Sequence, residues 1–445
     1  MKFLHVIPPH AVNAYKIIKL IRTYFPEDEH SFLIMATKDW VINNRPRLLA
    51  FLDLNYLPEA NKKVFSKISR LRTTMAWINE ADRLVLHSAF SIHGKLFIPC
   101  FCRKKYAKKC IWIETYTDLL SWKHSGKGIK AHVHNYILER FLRSIPSVGV
   151  KLLSDECAYQ EYVGGSADFF LTPYPMLDLE DLALVFSFLE ESSLNPNHVC
   201  FSNYQQLFSE CEESFQRRMK SMGSMENELE NLENFDDKED QPMKITSEEE
   251  NSDCHKEPIE YHMLMVEGDM LPPYNQGPFF KSIMHLKSDG LLAVNLHYVG
   301  KHCYSSGATY RRTMYRAGEI FLGRRYIDFK CPHATKEFFL KCISKVEGIA
   351  FFSKRTLNPQ FIWLMLLMNK KVFLPEDSPL YKYLKENQVP VFPYHFLREM
   401  TMEQFTRPIR TDGCEWIQTF VDEKKIAACW EQLFLAVKQK KEGTR

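Results

Sequence analysis

Hydrophobic positions in this chain fall into short continuous runs separated by stretches of helical period. KFLHVI (2–7) is an apolar run closed by the turn PPH, and from Ala14 apolar residues recur at 17, 18, 21 and 25, the spacing of a helix. HSFLIMAT (30–37) is strand-like again, so the chain opens as strand, helix, strand, the start of a parallel βαβ unit. The alternation continues with strands predicted in RLVLHSA (83–89), KKCIWIE (108–114), SVGVKLLS (147–154) and DFFLTPYP (168–175), and with a helix through HGKLFIPCFCRKKY (93–106). A second alternation begins at YHMLMVEG (261–268). It runs through GLLAVNLHYVG (290–300), GIAFFSKR (348–355), KKVFLPED (370–377) and VPVFPY (389–394), with helices at 309–322, 335–345, 357–369 and 378–387. The pattern predicts two doubly wound α/β domains, 1–175 and 261–395, joined by a helical connection (176–260) and followed by C-terminal helices (396–445).

Composition changes this picture in one place. Residues 221–260 carry 14 Asp and Glu against 3 Lys and Arg, and 221–258 hold a single aromatic, Phe235. Such a segment cannot bury a core and is expected to be a disordered or weakly helical insertion, or an acidic arm folded over a basic surface. Residues 1–150 are the counterpart, with 24 Lys and Arg against 11 Asp and Glu. That excess suits an anionic partner (lipid head groups, a phosphorylated substrate or nucleic acid) or simply solvated helix faces. The basic stretches FCRKKYAKKC (101–110) and KHSGKGIKAH (123–132) come with no nucleic-acid recognition motif, so a lipid phosphate is the favoured reading. The twelve cysteines form neither a disulfide framework nor a zinc spacing and suit a reducing compartment. The apolar runs are too short for a signal peptide or a membrane span, which predicts a cytoplasmic protein, soluble or attached to the inner face of the membrane.

Chemistry is expected where strands end, because open α/β sheets bind ligands beyond their carboxyl edges. CIWIETYTDLLSW (110–122) passes from a buried run into Glu114, Thr115, Tyr116, Thr117 and Asp118, residues too polar for a core. FFSKRTLNPQF (351–361) sets Lys354 and Arg355 between a strand and a helix, and HYVGKHCYSSGATYRR (297–312) leaves another strand with Tyr298 and Gly300. Asp178 and Glu180 in LDLEDL read as the start of an exposed helix rather than a metal pair.

KFLHVI with its helix and HSFLIMAT, the segment IWIETYTDLLSW, and above all residues 334–392 (ATKEFFLKC to NQVPVF) resemble the bacterial 4-alpha-L-fucosyltransferase family, glycosyltransferase family 56. The resemblance spans most of the chain outside the acidic insertion. The chain keeps Asp118 and Leu119 where the family has a Trp-Gly-Gly-Asp-Leu-Tyr-like run, Tyr298 and Gly300 of a Ser-Tyr-Gly-like turn, and Arg355 of an Arg-Gln-Gln-Ala-Leu-Gly-Asn-like stretch. It implies a GT-B-like fold, two Rossmann-like domains facing a central cleft, the first binding acceptor and the second donor. It implies transfer of a deoxyamino sugar from a dTDP-linked donor to a lipid-linked saccharide in bacterial surface polysaccharide synthesis, without cofactor or metal.

A transferase that inverts the anomeric centre needs a base for the acceptor hydroxyl and positive groups for the departing diphosphate. Asp118 and then Glu114 are the candidate bases, Asp118 being equally placed to cap a following helix; His10 and His87 are further candidates. Arg355 and Lys354 are the candidate diphosphate contacts. Asn358 and Gln360 either cap the next helix or meet phosphate or sugar, and Tyr298 and Gly300 lie in a loop suited to phosphate or a stacked base. The alternative is a catalytically degenerate protein that binds sugar nucleotides without turning them over or serves as a scaffold.

Overall fold

A computed structural model describes residues 1–8, 14–57, 64–88, 103–113, 129–150, 163–175, 204–222, 262–267, 283–286, 292–297, 346–351, 359–410 and 415–442. It also describes positions 156, 159–160, 187, 280, 316, 318–320, 322–323 and 327–328. The first half comprises β1 (Lys2–Ile7), α1 (Ala14–Tyr24), β2 (Glu29–Ile34), α2 (Lys38–Asn44), β3 (Asn55–Tyr56), α3 (Val64–Glu80), β4 (Arg83–His87), α4 (Lys104–Ala107), β5 (Cys110–Ile113), α5 (Ile129–Leu142), β6 (Ser147–Val150) and β7 (Asp168–Leu171). After α6 (Tyr204–Met222) come β8 (His262–Glu267), β9 (Leu292–His297), β10 (Ile327–Asp328), β11 (Val346–Phe351), α7 (Pro359–Leu367), β12 (Lys371–Leu374), α8 (Pro379–Glu386) and β13 (Phe392–Pro393). Helices α9 (Met402–Thr406), α10 (Glu415–Val421) and α11 (Glu423–Glu442) close the chain.

Two parallel sheets result. The first has strand order β3-β2-β1-β4-β5-β6-β7 and the second β10-β9-β8-β11-β12-β13. Every pairing is parallel, which explains the unbroken apolar runs: a parallel sheet is covered on both faces. In β1, Leu4 and Val6 enter one core, while Phe3 and Ile7 enter the other with Ile17, Ile18 and Ile21 of α1.

Several boundaries differ from the sequence expectation. HSFLIMAT does not stay extended to Thr37, because the strand stops at Ile34 and the Thr37 hydroxyl accepts a hydrogen bond from Trp40 N (3.3 Å) as the cap of α2. Of the helix expected over 93–106, the described part is Lys104–Ala107 alone. Helix α6 runs two residues into the acidic segment, to Met222, and the rest of that segment lies outside the described residues, as does the helix at 335–345.

The connection and the tail belong to the two cores. Helix α6 packs on the second sheet through Leu207 and Cys211; its Tyr204 hydroxyl donates to Val391 O (2.8 Å) and Arg218 pairs with Glu399 (2.7 Å). Helix α10 joins the second core through Trp416, Ile417 and Phe420. Helix α11, one residue later, lies on the first sheet. There Trp430, Leu433 and Phe434 are buried, Trp430 Nε1 donates to Pro173 O (2.8 Å) and Lys438 pairs with Asp28 (2.6 Å). Among the described residues no helix is long and apolar enough to cross a membrane.

Candidate functional site

Parallel order makes all strands of a sheet end at one edge, and the order reverses at β1/β4 in the first sheet and at β8/β11 in the second. In the first, Ile7 pairs with Ile34 and His87 with Ile113, so the segments carrying His10 and Glu114 leave from one edge with β4 between them. In the second, Glu267 is in register with both Phe351 and His297. The segment carrying Lys354 and Arg355 therefore starts at the reversal itself, and the one carrying Tyr298 and Gly300 starts one strand away, on the other side of β8. Helix α7 begins at Pro359, which puts the backbone of Gln360 in its first turn. Asp118, Glu114, His10, Lys354, Arg355, Asn358, Tyr298 and Gly300 lie outside the described residues, as do Asp178 and Glu180. The strands that precede His10, Glu114, Tyr298 and Lys354 end at the two edges.

Helix α7 has a buried body that holds its N-terminus in place. Ile362, Met365 and Leu366 are fully buried, and Trp363 stacks on Phe420 of α10 (4.2 Å between centroids, 16° between planes). A helix start offers free N–H groups that favour an anion, and the sequence ahead of this one is polar and basic.

His87 is the one candidate base whose surroundings are described, and they remove it from that role. Alternation along β4 turns it to the same face as Val85, beneath α11 rather than out over the edge. Its Nε2 bonds His5 Nδ1 (3.0 Å) and its Nδ1 bonds the Tyr174 hydroxyl, so neither nitrogen is left for a substrate proton. Burial lowers its pKa to about 3.

The next residue, Ser88, has φ 85° and is buried, with its N–H donating to Ile113 O (3.1 Å). A non-glycine residue held there costs energy that only a well-packed surrounding sustains, and it stands at the order reversal of the first sheet. The sequence reading passed over Ser88, since no residue type announces a positive φ. It also passed over His5 and His30, although their parity with Phe3, Ile7 and Phe32 places them on one face. Among the described residues no group of His, Cys, Asp and Glu is arranged to hold a metal ion.

No protein-family model matches the chain, and no curated protein matches it in sequence. Among solved structures it is similar to HepE of Anabaena in complex with UDP and glucose, with TM-score 0.53 and 10% identity, over 98% of this chain and 100% of that one. It is similar to a glycosyltransferase of Rickettsia africae (0.51, 9%, 98% of each chain). The same holds for sucrose-phosphate synthase of Thermosynechococcus elongatus (0.51, 12%, 99% of this chain and 100% of that one). At such identities the likeness is one of fold, and the fold of this chain is GT-B: two parallel-sheet α/β halves with a helical C-terminal end.

Proposed function

We propose that the chain is a glycosyltransferase that moves a sugar from a nucleoside-diphosphate donor to a hydroxyl of a lipid-linked saccharide. The observation that carries this reading is the second sheet's order reversal, where the Lys354–Arg355 segment leads from β11 into the N-terminus of α7. The likeness to HepE, whose structure holds UDP and glucose, supports the same donor class. The resemblance to the fucosyltransferase family favours a dTDP-linked deoxyamino sugar and a role in bacterial surface polysaccharide synthesis. The basic excess of residues 1–150 favours a cytoplasmic protein attached to the anionic inner face of the membrane.

In this reading Asp118, or Glu114 or His10 in its place, takes the proton of the acceptor hydroxyl. The freed oxygen attacks the anomeric carbon from the face opposite the diphosphate, the bond to the diphosphate oxygen breaks, and the configuration inverts. The charge gathering on the departing nucleoside diphosphate is met by Arg355, Lys354 and the amides opening α7, so no metal is required of the step. Asn358 and Gln360 meet the sugar or phosphate, and the loop with Tyr298 and Gly300 meets the nucleotide.

The test is a thermal-shift series with UDP, dTDP, GDP and their sugars, followed by a transfer assay. A donor held at about a hundred times its Kd should stabilise the protein by about 2.7 kcal/mol. No stabilisation by any of them would overturn the reading, and stabilisation without transfer or donor hydrolysis would favour a binding protein. Arg355→Ala should weaken donor binding by about 1.5–3 kcal/mol. Asp118→Asn should spare donor binding while lowering transfer by about 10²–10⁴-fold; loss of stability alone would make Asp118 a helix cap. Attachment to anionic vesicles should weaken with salt, and equal attachment to neutral vesicles would count against the electrostatic account.

A further inference from the structure

Three adjacent strands of the first sheet, β2, β1 and β4, each turn one histidine to the same face. His5 Nε2 lies 2.9 Å from His30 Nδ1, and His5 Nδ1 lies 3.0 Å from His87 Nε2. His87 Nδ1 continues the chain to the Tyr174 hydroxyl. Helix α11 covers it. Trp430 lies over His87 (5.9 Å, 24°) with its edge to Tyr174, and Phe434 packs against His30 (5.1 Å), His5 (6.3 Å) and Phe3 (4.9 Å).

Each nitrogen-to-nitrogen bond needs one donor and one acceptor, so every bond of the chain is made when each ring is neutral with its single proton directed the same way along it, and the buried His30 Nε2 at its end has no partner. One added proton puts an uncompensated charge in an apolar pocket, and protons on two neighbouring rings set N–H against N–H. The charged groups around the chain are few and engaged. Asp28, the carboxylate nearest His30, is shared by the Met1 amino group (3.4 Å) and Lys438 of α11 (2.6 Å). Arg22 of α1 lies over Phe32 and pairs with Asp53, and Arg83 of β4 donates to Val437 O of α11 (3.5 Å). The Cys429 thiol of α11 is half-buried, with a raised pKa from burial. Asp28 favours a protonated His30, but burial outweighs it and Lys438 and the Met1 amino group oppose it; the other groups supply no negative charge to a protonated ring.

We propose that His30, His5, His87 and Tyr174 form an acid-sensitive latch: hydrogen-bonded and neutral, they seat helix α11 on the first sheet, and protonation of the rings releases that helix while the second sheet stays folded. Helix α11 is the element that gives way, because the rings themselves sit on strands tied into the sheet on both sides. Its polar ties to the sheet side include, among the described residues, Trp430 to Pro173, Lys438 to Asp28, Arg83 to Val437, and Lys440 to Asp168 and to Pro146.

Burial lowers the pKa of all three rings: His5 well below its ordinary value, with the neighbouring histidines adding to the effect, His30 to about 4 and His87 to about 3. Released rings face water and return to about 6.5. The released state therefore binds more protons as pH falls below about 6.5, and docking weakens from there down to about 4. Each ring contributes up to about tenfold per pH unit to the release equilibrium, and three together up to about a thousandfold.

The test is amide hydrogen exchange on the full chain from pH 7.5 to 4.5, corrected for the intrinsic rate. Peptides from 423–442 should lose protection below about pH 6.5 with a slope approaching three protons, while peptides from 346–351 and 371–374 keep theirs. Asp28→Asn should keep that slope, and replacing all three histidines by Phe should abolish it. Should the triple variant not fold, the slopes of the unsubstituted chain and of Asp28→Asn decide. A slope near one or zero, its loss in Asp28→Asn, persistence in a folded triple variant, or simultaneous loss of protection in both sheets would overturn the proposal.

Discussion

The two sheets share one order of strands, yet they treat buried polar groups in opposite ways. The first packs three imidazoles against one another under an aromatic lid, and their hydrogen bonds run side chain to side chain. The second buries an amine, Lys371, 1% exposed at the start of β12, and ties it to backbone: its Nζ donates to Phe405 O (2.9 Å) and to Arg407 O just past α9. A side-chain chain fails when any member changes protonation. A backbone-tied amine keeps its donors in either state. The first arrangement makes docking of a helix conditional on pH, and the second makes a joint.

The largest effects should come from removing the lids. Trp430 of α11 and Trp363 of α7 are both buried, and Trp→Ala at either should cost about 3–5 kcal/mol in urea unfolding at pH 7.5. Their acid behaviour should separate them. Trp430→Ala admits water to His87 and raises its docked pKa toward the ordinary value, so His87 drops out of the acid response and the slope of the α11 transition falls from about three protons toward two. Trp363→Ala leaves that transition in place. An equal change from both would show that the acid response is a property of overall stability and not of the histidine face.

Lys371→Met should come next, at about 1–3 kcal/mol near pH 7, because two carbonyls lose their donor. Burial lowers the Lys371 pKa to about 7. The unfolded chain therefore binds more protons than the folded one between about pH 7 and 10.5, and stability rises with pH across that range. Subtracting the Lys371→Met profile should isolate this rise, at most about 1.4 kcal/mol per pH unit. The histidine face titrates below pH 6.5, so the two halves respond in windows that do not overlap. A flat difference profile above pH 7 would mean that Lys371 is charged and hydrated, and the contrast between the sheets would fall.

The strands were legible because parallel sheets demand apolar residues on both faces, and KFLHVI, CIWI and KVFL supply them. Two short edge strands were not: Asn55–Tyr56 and Ile327–Asp328 have two residues each and no run of apolar neighbours, unlike the edge strand in VPVFPY. The sequence placed the candidate site at the strand ends, and topology puts those ends at two edges. It did not reveal that α11 crosses back to the first sheet, since an amphipathic tail reads the same whichever core receives it. His87 is a further candidate base by its closeness to a strand end, but side-chain parity, which turns it under α11, is the stronger constraint.

The smallest expected effect tests how far the contrast reaches into the connections. Thr37 and Ser378 cap α2 and α8 in the same way, each hydroxyl accepting from the N–H three residues on, Trp40 N at 3.3 Å and Tyr381 N at 3.0 Å. Their surroundings differ. Helix α2 buries only Val41, so water can reach Trp40 N when the hydroxyl is gone, and Thr37→Ala should cost about 0.5–1 kcal/mol. Ser378 is itself buried, and α8 buries Leu380, Tyr381 and Leu384, so the Tyr381 N–H would be stranded. Ser378→Ala should therefore cost about 1–2 kcal/mol, the upper part of the range for a lost cap. Urea unfolding of the two variants at one pH measures the difference. The opposite ranking would mean that water enters the second half as readily as the first, and that its buried lysine owes its low pKa to something other than a dry surrounding.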